Sequence, residues 1–127
     1  MQKITILLLM LFAACSPDVS SQSTVSATEL ETLMRTDKTV QLVDLRTPGE
    51  LQQTGRIEGA RVINFNSPDF QTQIATLDMK KPVIVYCAAG GRSPRAAAQM
   101  VKMGFTKVYD YTGGMNDWRA KGKKTVQ

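Results

Sequence analysis

The chain has 127 residues, 43% of them hydrophobic and 21% charged, enough apolar material for one compact core and too little for two. Its formal charge of +5 comes from scattered Lys and Arg, and its few aromatics are not interleaved with basic clusters, so a nucleic-acid partner is excluded. With no histidine in the chain, mechanisms that need an imidazole base are excluded too.

The N-terminal stretch is chemically unlike the rest. Lys3 precedes an apolar run from Ile4 to Ala14 that is too short to span a bilayer as a stable helix, and the pattern reads as an export signal over residues 1–14, removed in the mature protein. Leu11-Phe12-Ala13-Ala14-Cys15 resembles the lipobox of bacterial lipoproteins, with Phe12 where that family usually carries Leu. The resemblance implies that Cys15 becomes the first residue of the mature chain and carries the lipid, palmitate included, that binds it to a membrane. Ser16, in place of an Asp, implies the outer membrane and a periplasmic location. Residues 15–24 then form the lipidated Cys and a polar tether with almost nothing to bury, expected to be flexible with a reach of roughly 16 Å.

From Val25 onward short β-branched runs alternate with helical segments. Ser26-Ala27-Thr28-Glu29 has the pattern of a capping box and predicts a first helix to about Arg35. Val40–Asp44, Val62–Asn64, Val83–Tyr86 and Lys107–Tyr111 are the expected strands, and Ser93–Met103 carries helix formers at helical spacing. This alternation predicts a single α/β domain over 25–127, with a mainly parallel central sheet flanked by helices on both faces.

Ligands of such sheets bind beyond the carboxyl ends of the strands, which directs attention to the segment after Val83–Tyr86. Cys87-Ala88-Ala89-Gly90-Gly91-Arg92-Ser93 leads from a strand into a helix, so backbone donors and a helix N-terminus converge above the sulfur. That field favours a thiolate at Cys87. Gly90 and Gly91 are expected to permit tight curvature with partly positive φ, and Arg92 adds a permanent forked charge. A buried structural cysteine has no use for two glycines, an arginine and a helix start within six residues, so Cys87 reads as a nucleophile. Trp118 reads as a core residue, and Gly113-Gly114 as the turn from the last strand into its helix.

Cys87-x-x-Gly90-x-Arg92-Ser93 resembles the active-site loop of the rhodanese family of sulfurtransferases. Val43-Asp44-Leu45-Arg46-Thr47-Pro48-Gly49-Glu50 resembles the family's Asp-x-Arg segment and its following Glu. Gly55-Arg56-Ile57-Glu58-Gly59-Ala60 resembles its Gly-His-Ile-x-Gly-Ala segment, and Gly104-Phe105 and Gly113-Gly114-Met115-Asn116-Asp117-Trp118 its closing elements. The resemblance runs from Val25 to Gly122, with Arg56 where the family usually has His.

The resemblance implies two half-reactions. The Cys87 thiolate attacks the outer sulfur of an anionic donor such as thiosulfate to form a persulfide, and a thiol or cyanide acceptor then removes that sulfur. Ala88, Ala89, Gly90, Gly91, Arg92 and Ser93 are expected to hold the donor, with no metal or organic cofactor and with the chain acting as a monomer. Asp44, Arg46 and Glu50 read as a charge network fixing loop geometry, with direct substrate contact the alternative. Two rivals remain. One is a membrane-bound persulfide carrier that turns over small donors poorly. The other is a phosphatase or arsenate reductase, disfavoured because its pattern places five residues between Cys and Arg where only Ala88, Ala89, Gly90 and Gly91 intervene here.

Overall fold

In the computed structural model, which describes residues 21–127, the β-branched runs form one five-stranded sheet. Its strands are β1 (Ser21–Thr24), β2 (Gln41–Asp44), β3 (Arg61–Val62), β4 (Val83–Tyr86) and β5 (Lys107–Tyr111), in the order β1-β5-β4-β2-β3 and with every pairing parallel. The most apolar strand, β4, is fully buried and central, as expected of a parallel sheet covered on both faces.

The helices are α1 (Ala27–Thr36), α2 (Pro48–Thr54), α3 (Phe70–Ile74), α4 (Ser93–Met103) and α5 (Gly114–Ala120). Side-chain alternation along β4 divides the core. Val83, Val85 and Cys87 face a cluster that includes Phe70 and Ile74 of α3 and Ala96, Ala97 and Met100 of α4. Ile84 and Tyr86 face Leu30 of α1 and Met115 and Trp118 of α5. Trp118 is nearly buried and its indole N–H donates to the Lys124 carbonyl at 2.8 Å.

Local chemistry explains the helix starts. Ser26 and Glu29 close a reciprocal capping box at α1, and Thr47 and Glu50 close a second at α2, with Pro48 inside the first turn. Helix α4 ends at Gly104 in the left-handed conformation.

Two expectations are corrected. The polar stretch expected to stay flexible through Thr24 is strand β1 over Ser21–Thr24, in register with β5 from Ser21↔Lys107 to Thr24↔Asp110, so these four residues belong to the folded domain rather than to the tether. All four of its side chains are exposed. Its place is fixed by backbone pairing with the open edge of β5, which leaves no hydrophobic trace in the sequence. The remainder of the tether, Cys15 and the 1–14 segment lie outside the described residues. The strand expected at Val62–Asn64 is instead Arg61–Val62, because β3 pairs with β2 only at Val43↔Arg61 and Asp44↔Val62.

Candidate active site

Cys87 follows the last residue of β4 and is only 1% exposed, at the carboxyl end of the sheet and below the start of α4. Gly90 N–H donates to its Sγ at 3.3 Å, and Sγ and the Ser93 hydroxyl oxygen are 3.7 Å apart. Burial alone would push the thiol pKa up. The backbone amides of Arg92, Ser93 and Gly90, together with the Ser93 hydroxyl, outweigh burial and bring it below its ordinary value of 9.0. Sequence and structure thus meet at one sulfur surrounded by donors.

The loop is shaped from the far side by the β5–α5 turn. Gly90 has φ +84°, and a Cβ there would lie 2.7 Å from the Thr112 carbonyl oxygen. Gly114 has φ +62°, and a Cβ there would lie 2.4 Å from the Cys87 carbonyl oxygen and 2.6 Å from that of Ala88. This close approach lets Met115 N–H donate to the Cys87 carbonyl at 2.9 Å and Asn116 N–H to the Ala88 carbonyl at 3.0 Å. With those carbonyls engaged by α5, the amides beyond them turn toward the sulfur. Gly91 is different: its φ is not positive and a Cβ would meet open space, so the curvature expected of both glycines is carried by Gly90. Ala89 and Gly91 lie on the exposed rim of the loop, while Ser93 is fully buried.

Arg92 does not stand free. Its Nη1 and Nη2 donate to Glu50 Oε1 and Oε2 at 2.6 and 2.8 Å, a two-point pair between the loop and α2. Glu50 accordingly titrates down at about 2, chiefly through the Arg92 hydrogen bond against opposing burial. The Arg92 charge still reaches Cys87, since the thiolate raises the arginine pKa alongside Glu50.

The expected Asp44–Arg46–Glu50 network separates into two. Asp44 and Arg46 form their own buried pair, with Nη2 to Oδ2 at 2.8 Å and Arg46 also donating to Thr54 Oγ1 and the Gly55 carbonyl. Asp44 is in register with Tyr86 and therefore on the sheet face opposite Cys87. Glu50 alone of the three belongs to the loop. Arg56 is tied by backbone to Val126 as an isolated antiparallel bridge, and its buried Nε has no hydrogen-bond partner.

Two features on this side of the sheet are not evident from the sequence. Gly114 carries a signal in its Gly-Gly pair but none that says which backbone it touches. Asp110, 2% exposed on the Cys87 face of β5, follows apolar and aromatic neighbours and gives no local hint of burial. Among the described residues, no group of three or more His, Cys, Asp or Glu side chains could hold a metal ion.

The Rhodanese-like domain family matches residues 26–121. The chain is 42% identical over 79 residues to thiosulfate sulfurtransferase GlpE of Stutzerimonas stutzeri, covering 61% of this chain and 69% of that protein. The Pseudomonas aeruginosa protein of the same name is 40% identical over 81 residues, covering 63% and 70%. Among solved structures, the polysulfide-sulfur transferase homodimer of Wolinella succinogenes superposes with TM-score 0.70 at 25% identity, covering 86% of this chain and 79% of that one. Human single-domain sulfurtransferase TSTD1 gives TM-score 0.61 at 26% identity, covering 77% and 96%. The chain belongs to the rhodanese-like domain family.

Proposed function

We infer that this protein is a sulfurtransferase that moves a sulfane sulfur from an anionic donor such as thiosulfate to a nucleophilic acceptor through a persulfide on Cys87. The observation that carries this reading is the Cys87 sulfur itself, buried yet held below its ordinary pKa by loop amides. The thiolate attacks the outer sulfur of the donor. The new S–S bond forms as the donor's S–S bond breaks and sulfite leaves with the bonding pair. Cyanide or a thiol then takes the outer sulfur and returns the Cys87 thiolate. Amides aimed at the sulfur stabilise negative charge in both thiolate and persulfide, so the same groups serve both half-reactions. Because the thiol is buried, slender donors that present a terminal sulfur are the ones that fit. Thiocyanate production from thiosulfate and cyanide tests the reading: turnover supports the enzyme, while a stable persulfide that cyanide does not discharge identifies a carrier.

The chain's place in the cell is part of the same proposal. The Ile4–Ala14 apolar run and the small residues before Cys15 support a lipid anchor on Cys15, with the domain in the periplasm at the outer membrane and the tether running into Ser21. Wild-type protein is expected in the membrane fraction and Cys15→Ser protein is expected to lose lipid addition. Soluble wild-type protein with its mature end away from Cys15 would overturn the anchor and leave the sulfur chemistry standing.

A further inference from the structure

The lysines of the domain are unevenly placed. In a parallel sheet the loops that enter the strands share the amino end, opposite Cys87, and α4 returns the chain to that end. Lys80 and Lys81 enter β4, Lys107 is the first residue of β5, and Lys102 lies in the last turn of α4; all four are exposed. Backbone bonds tie this corner together. Ser21 N–H donates to the Thr106 carbonyl and Thr106 N–H to the Met79 carbonyl, both at 3.0 Å. The point where the tether meets the sheet is therefore flanked by Lys107 and, one strand further, by Lys80 and Lys81. Helix α4, eleven residues and so about 16 Å long, separates this corner from the Cys87 loop.

Pairing sets these lysines apart. Of the four, only Lys81 contacts a carboxylate among the described residues, Asp78 at 3.7 Å and between two exposed side chains, while the Lys107 ammonium lies over the Tyr109 ring. Along the same end, Arg35 and Lys38 at the close of α1 have one carboxylate between them, Asp37. Lys121, Lys123 and Lys124 lie elsewhere. Helix α5 starts against the Cys87 and Ala88 carbonyls, is only seven residues long, and the chain beyond it turns back on Trp118. Each of these three lysines contacts a carboxylate, of Asp117, Glu31 and Glu58 in turn. The unneutralised ammonium groups are thus gathered where the tether arrives, and the tether itself carries one carboxylate, Asp18, and no cation.

We propose that this corner is an electrostatic landing face: Lys80, Lys81, Lys102 and Lys107 rest on the anionic phospholipid headgroups of the membrane that holds the anchor, and the Cys87 loop points away from the bilayer. The inference rests on the reading of Cys15 as the anchored residue. Five residues, Ser16 to Ser20, separate Cys15 from Ser21, a span of about 20 Å at full extension. An anchor on Cys15 therefore brings the Ser21 end of the sheet to the surface rather than the Cys87 end. Ammonium groups within a Debye length of an anionic surface, roughly 8 Å at physiological salt, are drawn to it, and lipid phosphates supply the anionic partners these lysines lack within the domain. The sulfur site is left open to donors and acceptors arriving from the aqueous side.

The test is lysine footprinting of the mature protein in vesicles of phosphatidylcholine alone and in vesicles that also contain phosphatidylglycerol. Acetylation, read residue by residue by mass spectrometry, is expected to slow several-fold at Lys80, Lys81, Lys102 and Lys107 on the anionic vesicles and to recover in roughly 1 M salt, where the Debye length falls to about 3 Å. Lys121 is expected to react equally on both. Equal rates at the four lysines on the two compositions overturn the proposal, and so does alkylation of Cys87 that slows on the anionic vesicles, which would put the wrong end on the membrane. Intact mass of the same preparation reads the anchor separately. A chain without lipid overturns the anchor reading, and its sedimentation with vesicles then decides the basic face. Pelleting with phosphatidylglycerol vesicles at low salt, weakened by about ten- to a hundredfold in the combined Lys80→Gln, Lys81→Gln, Lys102→Gln and Lys107→Gln variant, supports the face. No pelleting, or pelleting that the four changes leave untouched, overturns it. Thiocyanate production by the variant, expected at the wild-type rate, reports that the fold is intact.

Discussion

The Arg92 guanidinium and the Glu50 carboxylate meet as a two-point pair at 2.6 and 2.8 Å, joining residues 42 positions apart in the chain. The arginine that the loop motif marks as an anion hook is therefore also a strut, clamping the Cys87 loop to α2. Its charge toward the donor is partly neutralised, and its direction is fixed.

Removing either partner has distinct consequences. Arg92→Ala deletes a charge near the sulfur and leaves Glu50 without its partner, and kcat/KM for thiosulfate is expected to fall by about ten- to a hundredfold. Alkylation of Cys87 by a neutral reagent is expected to change by only a few-fold, since loop amides and Ser93 remain. Steady-state kinetics beside alkylation rates separate the two effects. Unchanged thiosulfate kinetics with an earlier melt would make Arg92 structural alone.

The same pair sets an acid limit. Glu50 titrates at about 2 in the folded protein against an ordinary value of 4.5, so its contribution to stability is fully present above pH 4.5 and lost as pH falls toward 2. With both side chains partly open to solvent, that contribution is about 1–2 kcal/mol. Urea melts of wild type and Glu50→Gln between pH 2 and 7 are expected to differ at the neutral end and converge at the acid end. A constant difference across that range would rule out the linkage.

Gly114→Ala forces a Cβ to within 2.4 Å of the Cys87 carbonyl oxygen at a φ of +62°. The expected cost is about 2–3 kcal/mol, with loss of activity beyond what the stability change explains, because the displaced carbonyl belongs to the nucleophile. Gly91→Ala, where the added methyl meets open space, is the matched control. Equal behaviour of the two variants in melting and turnover would contradict the role given to the β5–α5 turn.

The buried pair beneath β2 makes a different prediction. Arg46→Met leaves Asp44, which is fully buried, without its cation, and a loss of about 3–5 kcal/mol is expected. The fraction that remains folded is expected to keep its thiosulfate KM, because this pair lies on the face away from Cys87. A raised KM at unchanged stability would return Arg46 to the substrate.

What could be read from the chain follows from which forces act locally. The apolar run Val83–Tyr86 and the helix-spaced run Ser93–Met103 are set by burial and periodicity, and their observed bounds are the expected ones. The Ser26–Glu29 capping box is local chemistry and was legible for the same reason. Strand β1 was not, since Ser21–Thr24 has no buried side chain and is fixed only by a partner more than eighty residues later. At the site, the Cys87–Ser93 motif was plain. The division of Asp44, Arg46 and Glu50 between two faces depends on sheet register, and the burial of Asp110 on what packs over β5. Neither is a property of neighbouring residues.

Persulfide loading in a single turnover tests the central claim most directly. Wild-type protein mixed with thiosulfate and examined by intact mass is expected to gain one sulfur atom on Cys87 with release of one sulfite, and to lose that sulfur as thiocyanate when cyanide is added. Cys87→Ser is expected to gain nothing, because a hydroxyl is far less acidic than a thiol and cannot store a sulfane sulfur. Sulfur gain or thiocyanate formation at wild-type levels in Cys87→Ser would contradict the account.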